Sequence, residues 1–348
     1  MKKSLIALAA VAVSGAAMAQ SSVTLFGIVD TGFGYVDNAV EGDNKYGLTN
    51  SGNATSRIGF RGVEDLGGGL KAGFWLEGEI FADDGGSGLN FKRRSTVSLQ
   101  GGFGEVRLGR DQVAGYNKTS SYDLFGQTGI GQFYGWNNWT RSSTADAAGV
   151  RNDNLISYYS PDFSGFKAGI SYGFDEKTGS DKSGRYVGGV VSYDNGPLSV
   201  ALSYDQRKLA YAAGVTGDKD TLTIGASYDF GAAKLSGIAQ QSKYEYSVGN
   251  DDKYNSYALG VSAPIGAAGV VKAQYALYDQ KAIDSKAHQI SLGYVHSLSK
   301  RTAVYGTVSY LKNKDNSNMG LSAKSLNTSG PGVGENQTGL QVGIRHAF

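Results

Sequence analysis

The sequence predicts an all-β chain, a 16-stranded antiparallel transmembrane β-barrel. Three observations lead there. Short runs alternate apolar and polar residues, the connections between runs alternate between tight turns and longer polar loops, and the composition is unusual for a water-soluble domain. Among 348 residues there are 52 Gly, 22 Tyr and 14 Phe but only 4 Pro, and beyond the N-terminus no apolar segment is long enough for a membrane helix. Gly and Tyr on alternating strands suit a barrel whose aromatic girdles sit at the two membrane interfaces.

The alternation is legible run by run. Val23, Leu25, Gly27 and Val29 share one face; Thr24, Phe26, Ile28 and Asp30 share the other. Ile58 and Phe60 oppose Arg57 and Arg61, and Leu70, Ala72, Phe74 and Leu76 oppose Lys71, Glu77 and Glu79. The pattern returns at Leu198 to Tyr204, Leu222 to Tyr228, Val271 to Leu277 and Val304 to Tyr310. Successive side chains on a strand point to opposite faces, so each run has one apolar and one polar side.

A soluble sandwich would alternate as well, and two features favour the barrel. The polar face mixes Gly, Ser and Thr with charge, as the lining of a water-filled lumen would. Tight turns at 65–68, 101–102, 161–164, 194–197, 231–232, 264–266 and 298–299 alternate with loops near 38–53, 82–89, 111–152, 175–184, 207–219, 247–253, 280–286 and 312–336. Seven turns and eight loops require 16 strands with both ends of the chain on the short-turn side. Closure also removes the sheet edges that lipid could not satisfy.

Lys2 and Lys3 precede an apolar run from Leu5 to Val13 and the small residues Ala17-Met18-Ala19. This reads as a secretory signal peptide over 1–19, with the barrel domain at 20–348. The run is too short to span a membrane. Without the segment, Lys+Arg falls from 33 to 31 against 31 Asp+Glu, so the exported chain is formally neutral and no nucleic-acid footprint is expected. Cysteine is absent, which excludes disulfides and thiolate metal sites.

The stretch from Asp111 to Asn152 breaks the regularity. It has no period, yet it carries Tyr122, Phe125, Phe133, Tyr134, Trp136 and Trp139. A long loop without regular structure is usually functional or disordered, and its aromatics argue against disorder. The expectation is an ordered functional loop that folds back on the rest of the molecule. At the far end, Leu340, Val342, Ile344, His346 and Phe348 share the apolar face. A terminal aromatic on the closing strand fits a signal for the outer-membrane assembly machinery.

Enzyme chemistry has little to work with. The three histidines, His288, His296 and His346, all fall on the apolar face by parity, away from any lumenal nucleophile. The Gly-rich pieces Gly67–Gly69 and Gly85–Gly88 have no strand–loop–helix context and read as turns rather than phosphate cradles.

Several segments together resemble the trimeric general porins of Gram-negative bacteria, β-proteobacterial type: SSVTLFGIVD at 21–30, SRIGFRGVEDLGGGLKA at 56–72, FGEVRLGR at 103–110, SPDFSGF at 160–166 and the terminal GIRHAF. The resemblance implies a homotrimer in the cell outer membrane, among lipid and lipopolysaccharide, with no cofactor. It also implies an inward-folded third loop that constricts the lumen opposite a basic cluster, through which small hydrophilic solutes and ions diffuse, with anions favoured. The motif carries Arg57 into that cluster. The family pattern points to Arg93 for the next position, whereas parity with Val97 and Leu99 turns Arg94 inward, so both stand as candidates. Arg151 matches a basic position of the family, and Asp123 is the acidic candidate on the loop. Where many members carry a proline at the start of the loop, this chain has Val113-Ala114. The alternatives are a substrate-specific channel, with Tyr134, Trp136 and Trp139 as candidate sugar-stacking rings, and, less favoured, a barrel hydrolase.

Overall fold

The computed structural model describes residues 22–348 apart from 41, 87, 137–148, 179–181, 211–215, 248, 327 and 329. The expected signal segment therefore lies outside the described residues, as does Trp139.

Seventeen strand segments form one sheet. They are β1 (Ser22–Val40), β2 (Asp43–Asn50), β3 (Arg57–Gly67), β4 (Leu70–Glu79), β5 (Arg94–Gly101), β6 (Gly104–Gln112), β7 (Arg151–Tyr159), β8 (Phe166–Gly173) and β9 (Tyr186–Asn195). The second half supplies β10 (Leu198–Ala210), β11 (Thr216–Asp229), β12 (Lys234–Tyr246), β13 (Asp252–Ile265), β14 (Gly269–Gln280), β15 (Ser285–Ser297), β16 (Thr302–Asp315) and β17 (Gln337–Ala347). Both β2 and β3 pair with β1, from Thr31↔Asn50 to Val40↔Asp43 and from Ser22↔Val63 to Ile28↔Arg57. They are two halves of one barrel strand interrupted at 51–56, so the barrel has 16 strands. Every neighbouring pair is antiparallel, and β17 closes the ring on β1 from Ile28↔Ala347 to Val36↔Gly339.

The alternation read from the sequence is the wall of this barrel. Val23, Leu25, Phe33, Leu202, Ile224, Leu292, Val308, Leu340 and Val342 are exposed on the outer face. Their neighbours Ser203, Thr223, Ser291, Ser309 and Gln341 are buried inside. A sheet that is apolar outside and polar inside is stable only in lipid, where inter-strand pairing satisfies each main-chain N–H and C=O. The three histidines lie on strands at outer-face positions, bonded to Tyr275, Tyr294 and Thr302.

One stretch differs from expectation. Residues 38–53 read as a long loop, but β1 and β2 run through most of it and meet in a tight hairpin. The strands extend beyond the apolar band, where both faces are polar and alternation gives no signal. The actual irregularity is the break at 51–56.

The longest excursion begins after β6 with helix α1 (Ala114–Thr119) and a 3-10 turn (Ser120–Tyr122). Val113 opens the loop at the position where the resemblance led to an expected proline. Its φ of −66° would suit proline, but its N–H donates to Val150 O at 3.2 Å, closing the neck of the loop.

Candidate functional site

α1 and the residues that follow it are bonded to strands from β8 round to β17. Lys118 Nζ reaches Asp194 Oδ1 at 2.6 Å on β9, and Tyr122 Oη lies 2.9 Å from Ser199 Oγ on β10. Ser236 on β12 donates to Tyr122 O at 2.6 Å. Gln289 on β15 donates to Ile130 O at 3.0 Å, and Ile130 N–H donates to Gln341 Oε1 on β17 at 3.3 Å. All these partners are polar-face residues, so the segment lies against the inside of the wall.

Aromatic packing adds to the bonds. Phe133 stacks on Tyr278 of β14 with centroids 5.9 Å apart, and Trp136 meets Tyr116 and Phe133 edge-on at 5.3 and 5.5 Å. Ile130 and Phe133 are completely buried. Burying a side chain of this size contributes roughly 1.5–3 kcal/mol. Glycines make room for the rings: a Cβ at Gly225 would strike Tyr122, and one at Gly293 would strike Phe125. Trp136 is buried among loop residues, and Tyr134 is fixed by Ser322 N–H donating to its hydroxyl at 2.8 Å. Both rings are almost wholly buried in this packing, and of the two Tyr134 lies in the lining of the main cavity.

Asp123 does not face the basic wall. Only 4 % exposed, it lies outside the lining of the main cavity. Its carboxylate accepts from the N–H groups of Phe125 (3.2 Å), Gln127 (2.8 Å) and Phe133 (3.2 Å), and from Gln274 Nε2 on β14 (3.1 Å). Burial pushes its pKa up, against the pull of these donors. The expectation of an acid opposing the arginines is corrected: Asp123 binds the loop together and to the wall. A short acidic side chain followed by Leu-Phe-Gly folds into a turn whose main-chain donors need an acceptor.

Between the loop and the opposite wall lies a cavity of 1280 Å³. On one side it is lined by Tyr116, Gly126, Gln127, Thr128, Gly129 and Gln132; on the other by Arg57, Lys92, Arg93, Arg110 and Arg151, with Lys324 from the connection before β17. Glu79 is the one acid in the lining among the described residues.

The basic residues are held in different ways. Arg57 begins β3 and points inward by parity. Arg93 precedes β5, and its N–H donates to Glu77 O at 3.1 Å while its Nε meets Glu77 Oε1 at 2.6 Å. Arg57 Nε is 4.0 Å from the same oxygen. Arg151, the first residue of β7, donates from Nε to Arg93 O at 2.8 Å. Arg94 also points inward but not into the cavity. It pairs with Asp111 at 3.4 Å and lies over the Trp75 ring at 4.5 Å. Both sequence candidates thus face the interior, because the strand begins at Arg94 and parity does not extend to Arg93.

Lys92, Arg110 and Lys324 were missed from sequence. Arg110 enters the cavity because β6 shifts register between Gly109 and Asp111, with Gly109 at φ +123°, and it pairs with Asp153 at 2.6 Å. Lys324 sits beside Glu79 in an ion pair, and burial pushes its ammonium down to about 8. Among the described residues no group of His, Asp and Glu is arranged to hold a metal ion.

A family profile described as Gram-negative porin matches residues 5–316. The chain belongs to the Gram-negative porin family. It is 64 % identical, over the full length of both chains, to the outer membrane porin protein 32 of Delftia acidovorans, and 36 % identical, again over both full lengths, to an outer membrane porin protein of Bordetella pertussis. In structure it resembles the anion-selective porin from Comamonas acidovorans, with a TM-score of 0.92 and 63 % identity, covering 94 % of this chain and all of that one. OmpT of Vibrio cholerae, in its trimer form, shares the fold at a TM-score of 0.71 and 14 % identity, covering 94 % of this porin and 99 % of that chain. The porin is an outer-membrane channel and not an enzyme.

Proposed function

We propose that this porin is a general diffusion pore that favours anions, with the loop of residues 111–152 narrowing the lumen to the cavity beside the basic wall. One observation carries the reading: among the described residues, six cationic side chains, Arg57, Lys92, Arg93, Arg110, Arg151 and Lys324, line the cavity against one acid, Glu79. Glu77 and Asp153 neutralise part of that charge from behind. Arg151 bonds to a carbonyl group and Lys92 makes no side-chain ion pair among the described residues, so a positive surplus remains. In a narrow path with low-dielectric walls such a surplus concentrates anions and repels cations. The anion-selective porin from Comamonas acidovorans, at 63 % identity, supports the same sign.

The trimeric form recorded for a fold neighbour supports reading this porin as a homotrimer whose apolar outer wall meets outer-membrane lipid, lipopolysaccharide and its own copies. Phe348 is the residue we assign to the assembly machinery. Current through a planar bilayer under a KCl gradient tests the selectivity: the reversal potential should take the sign set by chloride. A potassium-signed potential would refute it.

A further inference from the structure

We propose that Asp30 is the positioning residue of the constriction, holding the inward step at 51–56 that carries Asn53, Ala54, Thr55 and Arg57 to the cavity. This rests on the loop-and-wall constriction proposed above.

Asp30 lies on β1 and is completely buried. Opposite it, the second barrel strand leaves the ladder between Asn50 and Arg57, and the N–H groups of Gly52, Asn53 and Ala54 lose their main-chain acceptors on β1. The Asp30 carboxylate replaces them. Oδ1 accepts from Gly52 N–H at 3.1 Å, and Oδ2 accepts from Asn53 N–H at 2.9 Å and Ala54 N–H at 2.6 Å. Three successive main-chain donors converging on one anion form a concave nest, here filled by a side chain of the same protein. Tyr305 on β16 donates to Oδ1 at 2.7 Å and braces the carboxylate from the other side.

The main chain of Asp30 grips the same step. Ser51 N–H and Ser56 Oγ donate to its carbonyl at 2.8 and 2.9 Å, and its own N–H donates to Ser56 Oγ at 2.9 Å. The third loop rests on this step: Thr128 Oγ1 donates to Ser51 O, and Gly129 packs so closely on Gly52 O that a Cβ would collide. The step therefore sets both the place of Arg57 and the height of the loop opposite it. An amide at position 30 would aim an N–H at these N–H donors, because the four acceptor contacts occupy both oxygens.

The chain has no cysteine, so a single introduced thiol reports position directly. In assembled Thr55→Cys protein, the rate of modification by an anionic methanethiosulfonate is measured with and without Asp30→Asn, alongside reversal potentials. The expected result is a tenfold or larger change in rate and a fall in the anion/cation ratio towards that of Arg57→Gln, with the rate at a control Lys300→Cys, exposed on the turn before β16 and away from the cavity, unchanged. Unchanged rate and ratio would overturn the proposal, as would an equal change at the control, which marks general loosening. Should Asp30→Asn fail to assemble, Tyr305→Phe removes one brace and should shift the Thr55→Cys rate at least twofold; no shift would overturn it. If Arg57→Gln leaves the reversal potential unchanged while Asp30→Asn still alters the thiol rate, the charged constriction fails and the positioning role of Asp30 stands.

Discussion

Arg151 donates a hydrogen bond from Nε to the main-chain carbonyl of Arg93 at 2.8 Å, which fixes two guanidinium groups side by side on one wall of the cavity. Like charges are brought together here by the fold, at the starts of β5 and β7 on either side of β6. The nearest acid, Glu77, is spent on Arg93 and partly on Arg57.

Removing that acid should therefore sharpen selectivity. Without Glu77 the charges of Arg93 and Arg57 are no longer offset, so Glu77→Gln should raise the anion/cation permeability ratio about twofold or more. The reversal potential of the variant in a salt gradient checks this. A ratio equal to or below the parent's would mean Glu77 does not screen the wall.

Asp123→Asn tests the corrected role of that residue. Its carboxylate accepts from three loop N–H groups and from Gln274, and an amide cannot accept in all these directions. The loop should loosen, giving noisier open-channel current and a shifted conductance rather than a clean rise in anion preference. A quiet channel with parental conductance and only a changed reversal potential would restore Asp123 to the pore lining.

Lys324 gives the pore a pH dependence. Its ammonium is lowered to about 8 by burial, so it carries charge below that pH and loses it above. The wall then loses one cation and leaves Glu79 without its partner. The anion/cation ratio should fall about twofold or more between pH 7 and pH 9, and Lys324→Met should remove that step. A ratio flat over this range in the parent protein would contradict the assignment.

Phe348 closes the seam as well as ending the chain. It exchanges two main-chain bonds with Gly27, each at 3.0 Å, and its ring lies where a Cβ on Gly27 would be. Deleting Phe348 should lower the yield of assembled barrel in outer membranes several-fold, whereas deleting Asn316 should not. Equal yields would dismiss the assembly role.

The barrel was legible because its physics repeats along the chain. Lipid outside and water inside impose a period of two wherever a strand crosses the membrane, as at Val23–Val29 and Leu340–Phe348. The site was legible only where it lies on such a strand, which is why Arg57 and Arg94 were placed inward. Arg93 lies one residue before its strand, Arg110 enters through a bulge, and Lys324 arrives on a connection whose path depends on the finished barrel. Asp123 misled because acidity on a loop says nothing of direction; its turn consumes the carboxylate. The break at 51–56 was hidden because small polar residues carry no hydrophobic pattern.

The central claim is that the basic wall selects ions by its field across the cavity. The most direct measurement is the reversal potential of Arg57→Gln/Arg151→Gln against the parent in KCl gradients at low and high mean salt. Glu77 keeps its 2.6 Å pair with Arg93 in the double variant and Arg151 bonds only to a carbonyl, so the lumen should stay open and conductance should change less than selectivity. At about 0.1 M the double variant should lose most of the anion preference, and the gap should shrink towards 1 M as the screening length falls from ~10 Å to ~3 Å. Reversal potentials that coincide with the parent's at both salt concentrations would contradict the account.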